Sequence, residues 1–131
     1  MRSRMSAKEK RFVSRARVCR VGSADRRATV HTAPLCHAFD PRTRVAYVVT
    51  SGLTANNLRV RRRAAIECDD YFEDWDRLRG LVARARAKVV DRGAELERAR
   101  RLLKRKFTQY RDVEIESVIA LHVEDVTSWG L

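Results

Sequence analysis

From Leu81 to Val90 the chain reads LVARARAKVV, in which Ala83, Ala85, Ala87 and Val89 alternate with Arg84, Arg86 and Lys88. A two-residue period predicts a strand with one small apolar face and one cationic face. The period changes over residues 91 to 107, where Ala99, Leu102, Leu103 and Phe107 fall on one side among Arg and Lys, which predicts a helix with Asp91 as its cap. Near the end, Ile119, Leu121 and Val123 alternate with Val118, Ala120 and His122, the pattern of a last strand around 118 to 123.

Earlier segments read the same way. Ser6 followed by Glu9 is a capping box, and Phe12, Val13 and Ala16 supply the apolar stripe of an opening helix over 6 to 17, with the residues before it expected to fray. Residues 19 to 40 divide into two extended pieces around a polar turn at Asp25 to Arg27, and Pro34 confines the second piece to an edge, a bulge or a strand end. VAYVVT at 45 to 50 and AAIEC at 64 to 68 are strands by composition, and between them Thr54 is expected to cap a short helix reaching about Arg62. CDDYFEDWD, between two strands, is then a hairpin connection, with Tyr71 and Trp75 expected to fold back on the body. Short strands and turns interleaved with a few helices predict an α+β, mainly β, chain: one domain over residues 1–131, built as a small barrel or strongly curved sheet.

Charge adds a bias in partners. With 29 Lys and Arg against 17 Asp and Glu the formal net charge is +12, which suits polyanions or a phosphorylated cofactor. Residues 2 to 27 carry ten basic groups against two acids, whereas Glu67 to Asp76 holds six acids and no base. No run approaches the length of a membrane span, and the first residues lack the apolar run of a secretory signal, so a cytoplasmic protein without a membrane partner is expected. Three widely spaced cysteines, Cys19, Cys36 and Cys68, indicate neither a disulfide scaffold nor a zinc site, only ordinary, partly buried thiols.

Candidate chemistry is sparse. The acidic hairpin has oxygen ligands enough for calcium or magnesium, but not the loop pattern of a calcium site, and is read as a solvated rim with no metal. No serine stands in a nucleophile elbow, and no carboxylate pair follows a readable motif, so a hydrolase is disfavoured. His31 and His37, six apart, share a face if Pro34 leaves the strand in phase. Thr50, Ser51, Gly52 and Thr54 end a strand and open the short helix, whose unpaired amides, with Asn57, Arg59 and the arginines at 61 to 63, either accept a phosphate or merely cap the helix. Nucleic acid is the rival use of the cationic strand at 84 to 88 and the helix at 98 to 106. It is disfavoured because no aromatic residue is interleaved with those charges.

Several strings occur together in order: Asp25, His31, Pro34, Cys36, Ala38 and Asp40 across the first two strands; Asn57-Leu58-Arg59; Asp69, Tyr71, Asp74 and Trp75; KFTQY at 106 to 110; and Trp129-Gly130. Over about residues 12 to 130 they resemble the split-barrel flavoproteins of the pyridoxamine 5'-phosphate oxidase-like class, with the small FMN- or deazaflavin-dependent members the nearer likeness. The resemblance implies a split β-barrel of the FMN-binding type with short flanking helices. It also implies a homodimer with FMN or the deazaflavin coenzyme F-420 bound at the subunit interface. As an oxidoreductase of this kind the protein would pass a hydride or electrons to an unidentified small molecule. The alternatives are a non-catalytic flavin- or ligand-binding protein and a basic nucleic-acid-binding protein on a barrel scaffold. Carried onto this chain, the cofactor-binding positions are His31 and Thr32 beside the second strand, Thr50 and Ser51 at the end of the third, Asn57 and Arg59 as phosphate or tail donors, and Trp129 near the ring from the partner. The chain departs from the family pattern where Ala28 and Val30 replace a usual Gly-x-Pro, where Arg61-Arg62 replaces Asn-Pro, and where no basic residue precedes Asn57.

Overall fold

In the computed structural model, which describes residues 1–131, the alternating and periodic segments form α1 (Ala7–Arg15), β1 (Val18–Ala24), β2 (Val30–Asp40), β3 (Val45–Val48), α2 (Gly52–Val60), β4 (Arg63–Asp70), β5 (Arg79–Val90), α3 (Gly93–Lys106) and β6 (Val118–Trp129). The strands close into an antiparallel barrel in the order β1-β2-β3-β6-β5-β4. The fold is therefore α+β, dominated by a six-stranded barrel with short flanking helices, as the sequence predicts.

Two apolar clusters hold it together. Inside the barrel, Val21, Ile66, Ala83, Ala85, Leu121 and Val126 pack with Ala55 and Leu58 of α2, which plugs one end. On the outside, Leu96, Ala99 and Leu103 of α3, with Phe107 just after it, cover Tyr47, Val118 and Ala120. This explains why VIAL at 118 to 121 is apolar on both phases: Ile119 and Leu121 face the barrel interior, Val118 and Ala120 face α3. Pro34 lies in the part of β2 that pairs only with β1, since β2 meets β3 from His37 onward, so its missing N–H interrupts no ladder. The odd-numbered positions 31 to 37 are the more buried ones, so the strand keeps its phase through the proline.

Local chemistry differs from expectation at several places. Ser51, not Thr54, precedes α2, and its side chain makes no capping bond; Thr54 is buried in the first turn. Asp91 does not cap α3, because Arg92 is the preceding residue and Gly93 enters the helix with φ of +81°. Where fraying is expected, Arg2 exchanges two backbone hydrogen bonds with Val126, at 3.0 and 2.8 Å. Tyr71 and Trp75 do not fold back; they stand 62% and 73% exposed at the tip of the β4–β5 hairpin, which contains a 3-10 turn at Trp75–Arg77. Cys19 and Cys68 are fully buried, each pushed up to about 12 by desolvation, while Cys36 is exposed.

The β1–β2 hairpin shows what a non-glycine residue costs at a left-handed turn position. Asp25 Oδ1 accepts from the amides of Arg27 (2.8 Å) and Thr29 (3.0 Å), fixing a tight turn that puts Ala28 at φ of +65°. An L-residue with a Cβ is strained there, and glycine is not. Ala28→Gly is expected to raise stability by about 1 kcal/mol, read as a higher urea midpoint at an unchanged slope.

Candidate functional site

Because β-strand side chains alternate, the even positions of β1 and the odd positions of β4 share the outer face where the two strands pair, Gly22 opposite Ala65 and Arg20 opposite Glu67. Small residues there leave a hollow. Gly22, Ala24 and Ala65 line a cleft of about 340 Å³ together with Val30, His31 and Thr32 of β2 on one side and Arg63 and Arg84 on the other. A side chain at position 22 would start to fill it, since a Cβ there lies 3.4 Å from the Ala65 Cβ. The cleft opens along the stretch of β2 that has no second strand partner.

The charges around it are unequal. Arg84 donates to Asp125 Oδ2 at 2.7 Å, and Arg86 faces Glu124 at 3.8 Å. Arg20 bridges Asp69 at 2.8 Å and Glu67 at 3.6 Å, and burial, followed by Asp69, holds the Glu67 carboxyl above the usual range. Arg63 has no carboxylate partner. It is the uncommitted cation of the cleft.

The expected binding residues are only partly brought together. His31 and Thr32 line the cleft. Asn57 lies behind it: its Nδ2 donates to Ser23 Oγ at 3.1 Å, and the two side chains are 2% and 6% exposed. Its amide supports the β1 edge, and on its other side Asn57 borders a separate hollow with Arg26, Arg27, Asn56 and Val60, away from His31 and Thr32. Thr50 and Ser51 sit at the entrance of α2, where the Thr50 hydroxyl donates to the Ser51 carbonyl at 3.4 Å, and Arg59 projects from the exposed side of the same helix. None of these three borders the cleft. Trp129 is elsewhere again, paired across the ladder with Gly80; a Cβ on Gly80 would stand 2.3 Å from the indole, so the ring lies directly over that glycine. Sequence reasoning missed Gly22, Ala65, Arg63 and Arg84 as one group. Arg84 had a signal in the ARARAK alternation and Arg63 in the arginine run at 61 to 63, but Gly22 and Ala65 had none.

The cationic strand is also less available than its sequence suggests. Arg84, Arg86 and Lys88 meet Asp125, Glu124 and Glu95, the last at 2.8 Å. Acids from β6 and α3 thus neutralise the face that a nucleic-acid backbone would follow.

No protein-family model matches the chain, and no curated protein matches it in sequence. Solved structures do match in fold. A conserved hypothetical protein from Mycobacterium tuberculosis superposes with a TM-score of 0.80 at 20% identity, over 96% of this chain and 85% of that one. HutZ, the heme storage protein from Vibrio cholerae, gives 0.75 at 15% identity over 98% and 94%. A FAD-binding protein from Mesorhizobium loti gives 0.72 at 19% identity over 95% and 94%. At these identities the likeness is one of fold, the split barrel.

Proposed function

We propose that this protein binds a planar, anionic cofactor of the flavin or heme kind in the cleft between β1, β2 and β4. The observation that carries the reading is the meeting of a small-residue floor, Gly22, Ala24 and Ala65, with the uncommitted Arg63 at its rim. A flat ring can lie close to such a floor, and a guanidinium recognises a phosphate or carboxylate through paired hydrogen bonds. Split-barrel proteins named for heme storage and for FAD binding support the same class of ligand.

Within that class, FMN or the deazaflavin coenzyme fits the family resemblance of the strings around His31, Asn57 and Trp75. Such a cofactor would supply hydride or electron transfer, and the protein would orient it. Arg63 would hold its anionic tail, Thr32 would offer a hydroxyl at the edge, and the Asn57–Ser23 hydrogen bond would keep the β1 wall in place. His31 and Glu124 are the acid–base groups of the cleft, and neither belongs to a nucleophile–base pair, which favours a binding or carrier role unless the cofactor itself carries the reaction.

Titration of the purified protein with FMN, with the deazaflavin coenzyme and with heme, followed by absorbance and fluorescence, tests this. One of them is expected to bind at micromolar or tighter concentration, with Arg63→Glu weakening it by about tenfold or more. Gly22→Val is expected to weaken binding of any ring without unfolding the protein. Failure of all three ligands, or indifference to both substitutions, overturns the reading. If a flavin binds, reduction by a chemical donor and reoxidation by a small acceptor faster than free flavin would mark an oxidoreductase, and rates equal to free flavin a carrier.

A further inference from the structure

Helix α3 stops at Phe107, whose amide still donates to the Leu103 carbonyl at 2.9 Å while its own backbone turns extended. A 3-10 turn at Thr108–Tyr110 follows, closed by the Tyr110 amide on the Phe107 carbonyl at 3.1 Å. The turn brings the Tyr110 ring back against Phe107, edge to face, with centroids 5.9 Å apart and planes at 84°. Arg17, between α1 and β1, holds its guanidinium over Phe107, 4.6 Å from the ring centroid, and donates to the Lys106 carbonyl at 3.2 Å. With Cys36 of β2 and Gln109, these three side chains line a pocket of about 350 Å³. It shares no residue with the β1–β2–β4 cleft.

The pocket is preformed. Lys106 Nζ donates to the Ala16 and His37 carbonyl oxygens, so it ties together the chain neighbours of Arg17 and Cys36. Its ammonium is thereby committed to carbonyls, whereas Arg17 has no carboxylate partner. One free guanidinium at the edge of aromatic walls suits a monoanion that carries a flat ring. A carboxylate meets a guanidinium through two parallel hydrogen bonds, and a ring packs on Phe107 and Tyr110. Burial, and then Cys36, raise the Tyr110 pKa, so its phenol keeps the proton and can donate. Apolar walls with a few converging polar groups are the usual form of a small-molecule site.

We propose that this pocket binds a small aromatic carboxylate, its ring against Phe107 and Tyr110 and its carboxylate on Arg17. The site is separate from the cleft and does not depend on the cofactor assigned there. It also accounts for KFTQY at 106 to 110: Lys106 fixes the walls, Phe107 and Tyr110 form them, and Gln109 stands at the rim.

The test uses the full chain with naphthoate as probe, naphthamide as the same ring without charge, and acetate as the charge without a ring. Ligand-observed NMR is expected to show naphthoate binding at about 1 mM or tighter, and the other two at least tenfold more weakly. Cys19 and Cys68 are fully buried and Cys36 is exposed, so iodoacetamide reports on Cys36 in the folded protein. Saturating naphthoate is expected to slow that alkylation by about tenfold or more, following the occupancy the binding sets. Arg17→Gln is expected to weaken naphthoate by about tenfold or more. Arg101→Gln, an equal loss of charge on the exposed side of α3, is expected to leave it unchanged. Cys36→Phe, which fills the pocket, is expected to abolish binding, and a cooperative melting curve confirms that each variant is folded. No binding of naphthoate, equal binding of naphthamide or acetate, equal effects of the two arginine substitutions, binding that survives Cys36→Phe, or binding that leaves the alkylation rate unchanged each overturn the proposal.

Discussion

Glu9→Gln is expected to lower stability at neutral pH by about 2 kcal/mol, the scale for hydrogen bonds to a charged group, since only the carboxylate side of its pair with the half-exposed Arg2 is buried. The Glu9 carboxylate is 1% exposed and accepts from four donors: Arg2 Nη1 at 2.8 Å and Nη2 at 2.5 Å, the Ser6 amide at 2.7 Å and Ser128 Oγ at 2.6 Å. It therefore ties together the N-terminal segment, the start of α1 and the end of β6. Glutamine keeps the shape but turns an amide NH2 toward the Arg2 guanidinium, or toward the Arg2 guanidinium and the Ser6 amide, which only donate, leaving the Ser128 hydroxyl as the one partner able to accept. The Arg2 hydrogen bond, aided by Ser128 and Ser6, holds the carboxyl at about 2 against an ordinary value of 4.5, in spite of burial, which acts the other way. A carboxyl with a depressed folded pKa adds stability above its unfolded value, and that stability disappears as pH falls through the folded one. The difference between wild type and Glu9→Gln is thus expected to be full above pH 4.5 and to shrink toward pH 2. Urea unfolding of both proteins across this range checks it, and a difference that stays constant with pH would assign the effect to packing instead of charge.

The same residue shows what a sequence can reveal and what it cannot. The Ser6–Glu9 capping box was legible because its two bonds join residues three apart, and both are present. The bonds of Glu9 to Arg2 and Ser128 were not legible, since they depend on where β6 ends relative to α1. The barrel itself was accessible because alternation in LVARARAKVV and VIALHV is a local signal that survives into the closed sheet. Cap assignments failed for the opposite reason: Thr54 and Asp91 have suitable side chains, but the backbone enters α2 and α3 elsewhere, after Ser51 and Arg92. The site divides along the same line. His31 and Thr32 are adjacent in sequence and share the cleft, whereas Gly22, Ala65 and Arg84 meet only through strand register, which no local string specifies. Asn57 was recognisable as part of a pattern, but its direction, inward to Ser23, is set by how α2 lies against β1.

Lys106→Met, which keeps the length and loses the charge, is expected to cost about 2–3 kcal/mol, the scale for removing a donor from buried carbonyls. Lys106 closes α3, and its ammonium donates to the carbonyl oxygens of His37 at 2.8 Å and of Ala16, so that one side chain joins α3, β2 and the end of α1. Burial, and then the neighbouring Arg17, pull its pKa down to about 8. His37 lies fully buried beside it, its Nε2–H donating to the Val13 carbonyl at 2.8 Å and its Nδ1 without a partner. Desolvation first, and the Lys106 charge second, lower its pKa to about 4 from 6.5. A base depressed in the folded state is neutral there while the unfolded chain takes up protons, so this contribution is intact above pH 6.5 and is lost as pH falls toward 4. Removing the ammonium takes away the electrostatic part of the depression and leaves the desolvation part. The His37 pKa is therefore expected to rise, and the loss of stability between pH 6.5 and 4 to become shallower, although the variant starts from a lower value. Titration of the His37 ring protons by NMR, with urea unfolding at the two ends of that range, separates the two effects. An unchanged ring pKa together with the expected loss of stability would mean that Lys106 acts on this junction through its hydrogen bonds alone.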